Sequence, residues 1–282
     1  MQQLKQLTDK KYLIIHADDA GLSISHNQAT QQGLLNGSIS SCSLMVPCPW
    51  FYEMAQFCLD NPQIDYGIHL TLTGEWKHYP FRPISSLDKV PSLVNKLGYF
   101  FPKRQMVISH AKTEEVYFEL KNQIDFALSL GLKPTHLDSH MYTLGLRQDL
   151  IEVYRKLGKE YGIPVHLSKT IIQQNGVDPQ NFEIDDNECI ENTFMGSFEV
   201  FKGKGLTAFY DDVLDNLNLG VSMILIHPAL ESAEMKAIAI DHPNFGSEWR
   251  VEDAAYFNSK HCAQKIKDNE IALIGWKDLN FV

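Results

Sequence analysis

Short apolar runs rich in β-branched residues alternate with longer amphipathic stretches along the whole of this 282-residue chain. The strand-like runs are 12–16, 42–46, 66–72, 135–138, 164–167, 223–227 and 271–275, and helical patterns fill 27–36, 50–59, 113–130, 146–161, 206–217 and 251–267. Strands separated by helices of this length cannot pair as hairpins; the helix carries the chain back so that the next strand runs parallel. About seven such units predict an α/β fold, an irregular (β/α) barrel of parallel strands. No glycine-rich phosphate loop follows the first strand, which removes the dinucleotide-binding fingerprint of an open doubly wound sheet. The stretches 73–110 and 170–205 break the rhythm and read as insertions after strands, so residues 1–282 are expected to form one domain.

Composition narrows the partners. A hydrophobic fraction of 44% and a charged fraction of 21% are those of an ordinary globular protein. The net charge of -10 opposes general binding to a phosphate backbone, so no nucleic acid partner is expected. The cysteines Cys42, Cys48, Cys58, Cys189 and Cys262 form no CxxC pair and read as reduced thiols. The polar start MQQLKQLTDKK lacks a signal-peptide core, and no run is long enough to span a bilayer. A cytoplasmic location with no membrane partner is expected, and a homodimer is the base-rate assembly.

Polar residues collect where the strands end. HADDAGLS brings His16, Asp18 and Asp19 to the end of the first run; GIHLTLT puts His69 in the third; THLDSH carries His136, Asp138 and His140; LIHPA places His227 at the end of the sixth. In a parallel barrel these ends share one mouth, where active sites are built. Each piece alone has an ordinary reading: a solvated Asp-Asp turn, a hydrogen-bonded core histidine. Alternate residues of an extended segment face one side, so His136, Asp138 and His140 are able to share a face. Together the four spots point to a cation held by His and Asp.

These motifs, in this order, resemble the YdjC-like carbohydrate deacetylase family, which includes chitooligosaccharide deacetylases. HADDAGLS, GIHLTLT, KPTHLDSH and LIHPA carry the likeness, with a further match from Trp249-Arg250 to IALIGWKDL. The chain departs from the family pattern at Ala20, where an aromatic is usual, and at Met141 and Tyr142, where relatives continue with histidines. The resemblance implies a deacetylase-type barrel with one divalent metal ion on Asp19, His69 and His140, Asp18 as general base and His227 as general acid. It implies removal of acetyl groups from N-acetylated mono- or oligosaccharides.

Supporting roles have two readings each. Asp138 either orients a ligand histidine or makes a structural hydrogen bond, and His136 shares that choice. Arg250 either pairs with a carboxylate or substrate, or is a solvated surface arginine. Trp76 and Tyr79 either stack on sugar or pack the insertion, and His16 reads as core. Mixed N/O ligation suits zinc, and an open carboxylate site suits magnesium. The competing functions are a metal-dependent sugar phosphoesterase or isomerase, disfavoured by few basic residues near the motifs, and an inactive sugar-binding relative, disfavoured by Asp18 and His227.

Overall fold

The computed structural model describes residues 7–182, 184 and 189–279. The first six residues of the polar start, and residues 183 and 185–188 of the second expected insertion, lie outside the described residues. Among the described residues seven parallel strands form one curled sheet: β1 (Lys11–Ala20), β2 (Ser41–Leu44), β3 (Tyr66–Leu70), β4 (Leu137–Ser139), β5 (Asn192–Phe194), β6 (Gly220–Ile226) and β7 (Ile271–Leu273). Their order is β4-β3-β2-β1-β6-β5, with β7 also beside β1. β6 follows one edge of β1 from Lys11 to Ala17. The other edge is divided, β7 pairing at Lys11–Leu13 and β2 from His16 upward. Parallel bridges at Leu137–Val165 and Leu167–Cys189 continue the curl beyond β4 toward the segment that enters β5. The expected irregular barrel is the fold observed.

Alternation along β1 explains what the curl encloses. Leu13, Ile15 and Ala17 face the main core shared with the helices. Ile14 faces the other way, into a small cluster with Ile190, Met223, Trp276 and Leu279. With a period of two, His16 and Asp18 follow Ile14 on the inner side. The barrel interior is therefore apolar at its base and polar toward its mouth.

The helices are α1 (Ile24–Asn36), α2 (Phe51–Asp60), α3 (Arg104–His110), α4 (Thr113–Ser129), α5 (Gln148–Tyr161), α6 (Lys169–Gln174), α7 (Phe198–Lys202), α8 (Leu206–Asp215), α9 (Ala233–Ile238), α10 (Ser247–Phe257) and α11 (Lys260–Asp268). α5 shows the packing logic, with Leu150, Ile151, Tyr154 and Leu157 recurring on one buried face.

Three expectations change in detail. The helix expected over 251–267 is two helices, because Ser259 caps α11 by accepting from the Cys262 amide. The strand expected at 164–167 makes single bridges only, while β5 arises unforeseen within the second insertion. The first strand runs four residues past His16 and takes both aspartates into the sheet. Residues 73–110 pack into the main core through Trp76, Phe81, Leu93, Phe100 and Val107. All five cysteines are free and buried. Among the described residues no helix is long and apolar enough to cross a membrane.

Candidate functional site

β1 ends irregularly. Its register against β2 shifts between Ala17 and Ala20, and Asp19 takes φ 63°, a left-handed conformation that Asp tolerates better than most residues. Regular alternation would send Asp18 and Asp19 to opposite faces; the irregularity turns both into the mouth. His26, on α1, reaches back to hold this backbone, donating from Nε2 to the Asp18 carbonyl at 2.7 Å.

Three side chains from three strand ends meet there. Asp19 Oδ1 stands 3.3 Å from His69 Nε2 and 3.1 Å from His140 Nδ1, and the two ring nitrogens are 3.3 Å apart. Atoms bonded at about 2.1 Å to one ion and separated by 90–109° stand about 3.0–3.4 Å apart. Asp19 Oδ1 is buried and makes no aligned hydrogen bond despite these neighbours, as expected of an acceptor whose natural partner is a cation. The donor set and its spacing fit a divalent ion.

The other polar atoms of these three side chains are already committed. Asp19 Oδ2 accepts from Arg250 Nη2 at 2.7 Å, leaving Oδ1 toward the shared space. His69 Nδ1 donates to Asp138 Oδ1 at 2.8 Å, which leaves Nε2 facing inward. His140 Nε2 donates to Glu75 Oε2 at 3.0 Å, which leaves Nδ1 facing inward. Burial alone would raise the Asp19 carboxyl, yet Arg250 and His140 overcome it and hold the group well below the usual carboxylate range.

Arg250 is the largest departure from a surface reading. It is only 1% exposed, and its guanidinium also donates to the Phe245 carbonyl and His26 Nδ1 while lying over the Trp76 ring. Burial, with the guanidinium beside it, pushes His26 down to about 3, which keeps the ring neutral and able to accept. Trp76 is itself 2% exposed and packs against His242 while lying beneath the Arg250 guanidinium. Tyr79 donates to the Leu22 carbonyl, tying the insertion to the turn after β1.

Asp18 and His227 flank Asp19, His69 and His140. His227 Nε2 lies 3.6 Å from Asp18 Oδ2, and its ring packs on Phe245. The Asp253 carboxylate accepts from the His227 amide and anchors this strand end. Burial pushes the His227 ring down to about 4. It is neutral near pH 7.

Beneath Asp18, His16 holds a charge. Its Nε2 is 2.9 Å from Asp138 Oδ2 and 3.3 Å from Asp18 Oδ1, both acceptors. Its Nδ1 is 3.1 Å from Ser41 Oγ, whose own proton goes to Asp65. Both ring nitrogens must therefore donate, which makes His16 an imidazolium. Burial works against that charge, but Asp138 and Asp18 push the ring up to about 9. His136 lies lower, stacked on Trp276 at 4.5 Å, and burial holds it well below the ordinary histidine value. Thus His136, Asp138 and His140 form successive rungs from the barrel floor to the mouth. Asp138 orients His69, not its neighbour His140.

Glu75, His26 and the charged state of His16 escaped the sequence reading. Glu75 sits in an irregular loop where no periodicity marks it. The charge on His16 depends on Asp138, 122 residues away.

Comparison with known proteins gives a consistent result. A family model described as YdjC-like protein matches residues 12–268. A carbohydrate deacetylase of Thermus thermophilus is 33% identical over 90% of this chain and 88% of its own length. One from Thermoanaerobacter pseudethanolicus is 28% identical over 95% of this chain and 99% of its own. A chitooligosaccharide deacetylase of Yersinia enterocolitica is 27% identical over 60% of this chain and 64% of its own. A solved structure from Enterococcus faecalis, provisionally described as a cellobiose-phosphate cleavage protein, superposes with a TM-score of 0.75. It covers 97% of this chain and 100% of its own at 24% identity, a likeness of fold alone.

Proposed function

Since the chain belongs to the YdjC-like family, we propose that it is a metal-dependent carbohydrate N-deacetylase, cleaving the acetamide bond of N-acetylated sugars or short chitin-like oligosaccharides. The observation that carries this reading is the convergence of Asp19 Oδ1, His69 Nε2 and His140 Nδ1 beside Asp18 and His227. Asp19, His69 and His140 would hold one divalent ion. Such an ion, zinc or magnesium by its donor set, supplies polarisation of the acetamide carbonyl and acidification of a water.

The chain's own residues do the proton work. Asp18 takes a proton from the attacking water as its oxygen bonds to the acetyl carbon. His16, an imidazolium against Asp18 Oδ1, keeps that carboxylate oriented with Oδ2 toward His227. Collapse of the tetrahedral adduct breaks the C–N bond, and the departing amine needs a proton. His227 is neutral beforehand, so the proton it delivers arrives during the reaction. Asp18, 3.6 Å from Nε2, is the group placed to supply it. Acetate and a free amine leave. Arg250 holds Asp19 through Oδ2, and Asp138 holds His69, so neither ligand has to be ordered when substrate binds. Residues 1–282 act in this reading as one catalytic unit.

Incubation of metal-loaded protein with diacetylchitobiose tests the proposal. Acetate and free amine are expected in equal amounts, with release abolished by chelation and restored by the metal. Absence of both products from metal-loaded, folded protein would end the deacetylase reading on this substrate class.

A further inference from the structure

We infer that Glu75 is a positioning residue for the metal site, fixing His140 so that Nδ1 faces the ion. This rests on the metal-site reading above. His69 and His140 are required to present different nitrogens, Nε2 from one ring and Nδ1 from the other. An imidazole presents the nitrogen that carries no proton, so each ring needs an acceptor on its opposite side. Asp138 serves His69. Among the described residues the acceptor facing His140 Nε2 is Glu75 Oε2, at 3.0 Å, with the carboxylate side chain only 7% exposed.

The loop that brings Glu75 there is fastened on both sides. Gly74 donates to the Phe101 carbonyl just before it. Trp76, just after it, lies under the Arg250 guanidinium and against His242. Lys77 pairs at 2.7 Å with Asp241, in the segment between α9 and α10. Consecutive residues thus touch one ligand directly and a second through its arginine. Displacing this loop would disturb His140 and Asp19 together.

The experiment measures Zn2+ affinity by competition with a fluorescent chelator in wild type, Glu75→Ala and Glu75→Gln. Loss of an outer carboxylate partner typically weakens metal binding about 10–100-fold, the range expected for Glu75→Ala. Glu75→Gln keeps an oxygen able to accept the Nε2 proton but loses the charge, so a smaller, several-fold loss is expected. Glu119→Gln is the control for mere destabilisation. Glu119 is fully buried and holds the same insertion through the Ile84 and Ser85 amides, and His140 pairs with other groups, Asp19, His69 and Glu75. It should lower the melting temperature and leave Zn2+ affinity unchanged. Wild-type affinity in folded Glu75→Ala would overturn the inference while sparing the metal site. If alanine prevents folding, wild-type affinity in Glu75→Gln overturns it instead. No Zn2+ affinity in the wild type would overturn both readings.

Discussion

Asp18 and Asp19 are chain neighbours with opposite counter-charges: an imidazolium, His16, stands below one and a guanidinium, Arg250, beside the other. The two neighbouring carboxylates therefore do not compete for one counter-charge. Asp18→Asn removes the proton acceptor without removing a proposed ligand. Turnover should fall about 10²–10⁴-fold, the usual worth of a general base, with metal content by elemental analysis unchanged. His16 gives a pH prediction. Its folded value of about 9 lies above the ordinary 6.5, so the folded state holds a proton that the unfolded state releases in between. Its contribution to stability is complete below pH 6.5 and is lost as pH rises toward 9. Urea unfolding of metal-loaded protein should show stability falling across this window. His16→Gln should flatten the slope, and an unchanged slope would contradict the imidazolium.

At the scale of elements, strand ends deliver the site, and their local geometry sets its tolerances. Gly67, one alternation before His69 on β3, leaves the space that His136 fills. A Cβ there would meet His136 ring atoms at 2.5–2.6 Å, and the ring cannot retreat because Trp276 is stacked behind it. Gly67→Ala should cost about 1–3 kcal/mol in urea unfolding, as overpacking does. Arg250→Met strands the Asp19 carboxylate. In chelated protein it should cost about 3–5 kcal/mol, and added Zn2+ should recover part of the loss by supplying another positive charge.

These elements also show what a reader of the sequence is able to see. Asp19, His140 and His227 stand at or just beyond the ends of apolar runs and His69 interrupts one, and parallel topology does the rest. The sequence leaves Arg250 between a carboxylate pair and a surface site because it lies on α10, a helix with weak amphipathic contrast, and the Asp19 it pairs with is 231 residues away. Glu75 belongs to no periodic element. Trp76 has the composition of a sugar platform but is covered by the arginine that only the fold brings over it.

For the whole molecule, the barrel is apolar at the base, charged in the middle and lined by Asp19, His69 and His140 at the mouth. The net charge of -10 and a mouth centred on carboxylates favour cations and neutral sugars over polyanions. Metal binding that is linked to the folded state should stabilise all of it: at a free concentration 100 times Kd, by about 2.7 kcal/mol. Thermal unfolding should therefore shift upward on metal addition, and the shift should vanish in His69→Ala. The most direct test of the account is an anomalous-diffraction map of zinc-loaded crystals. The account predicts one strong peak bonded to Asp19 Oδ1, His69 Nε2 and His140 Nδ1. A peak held instead by His16, His136 and Asp138, or no peak in the mouth at full zinc loading, would contradict it.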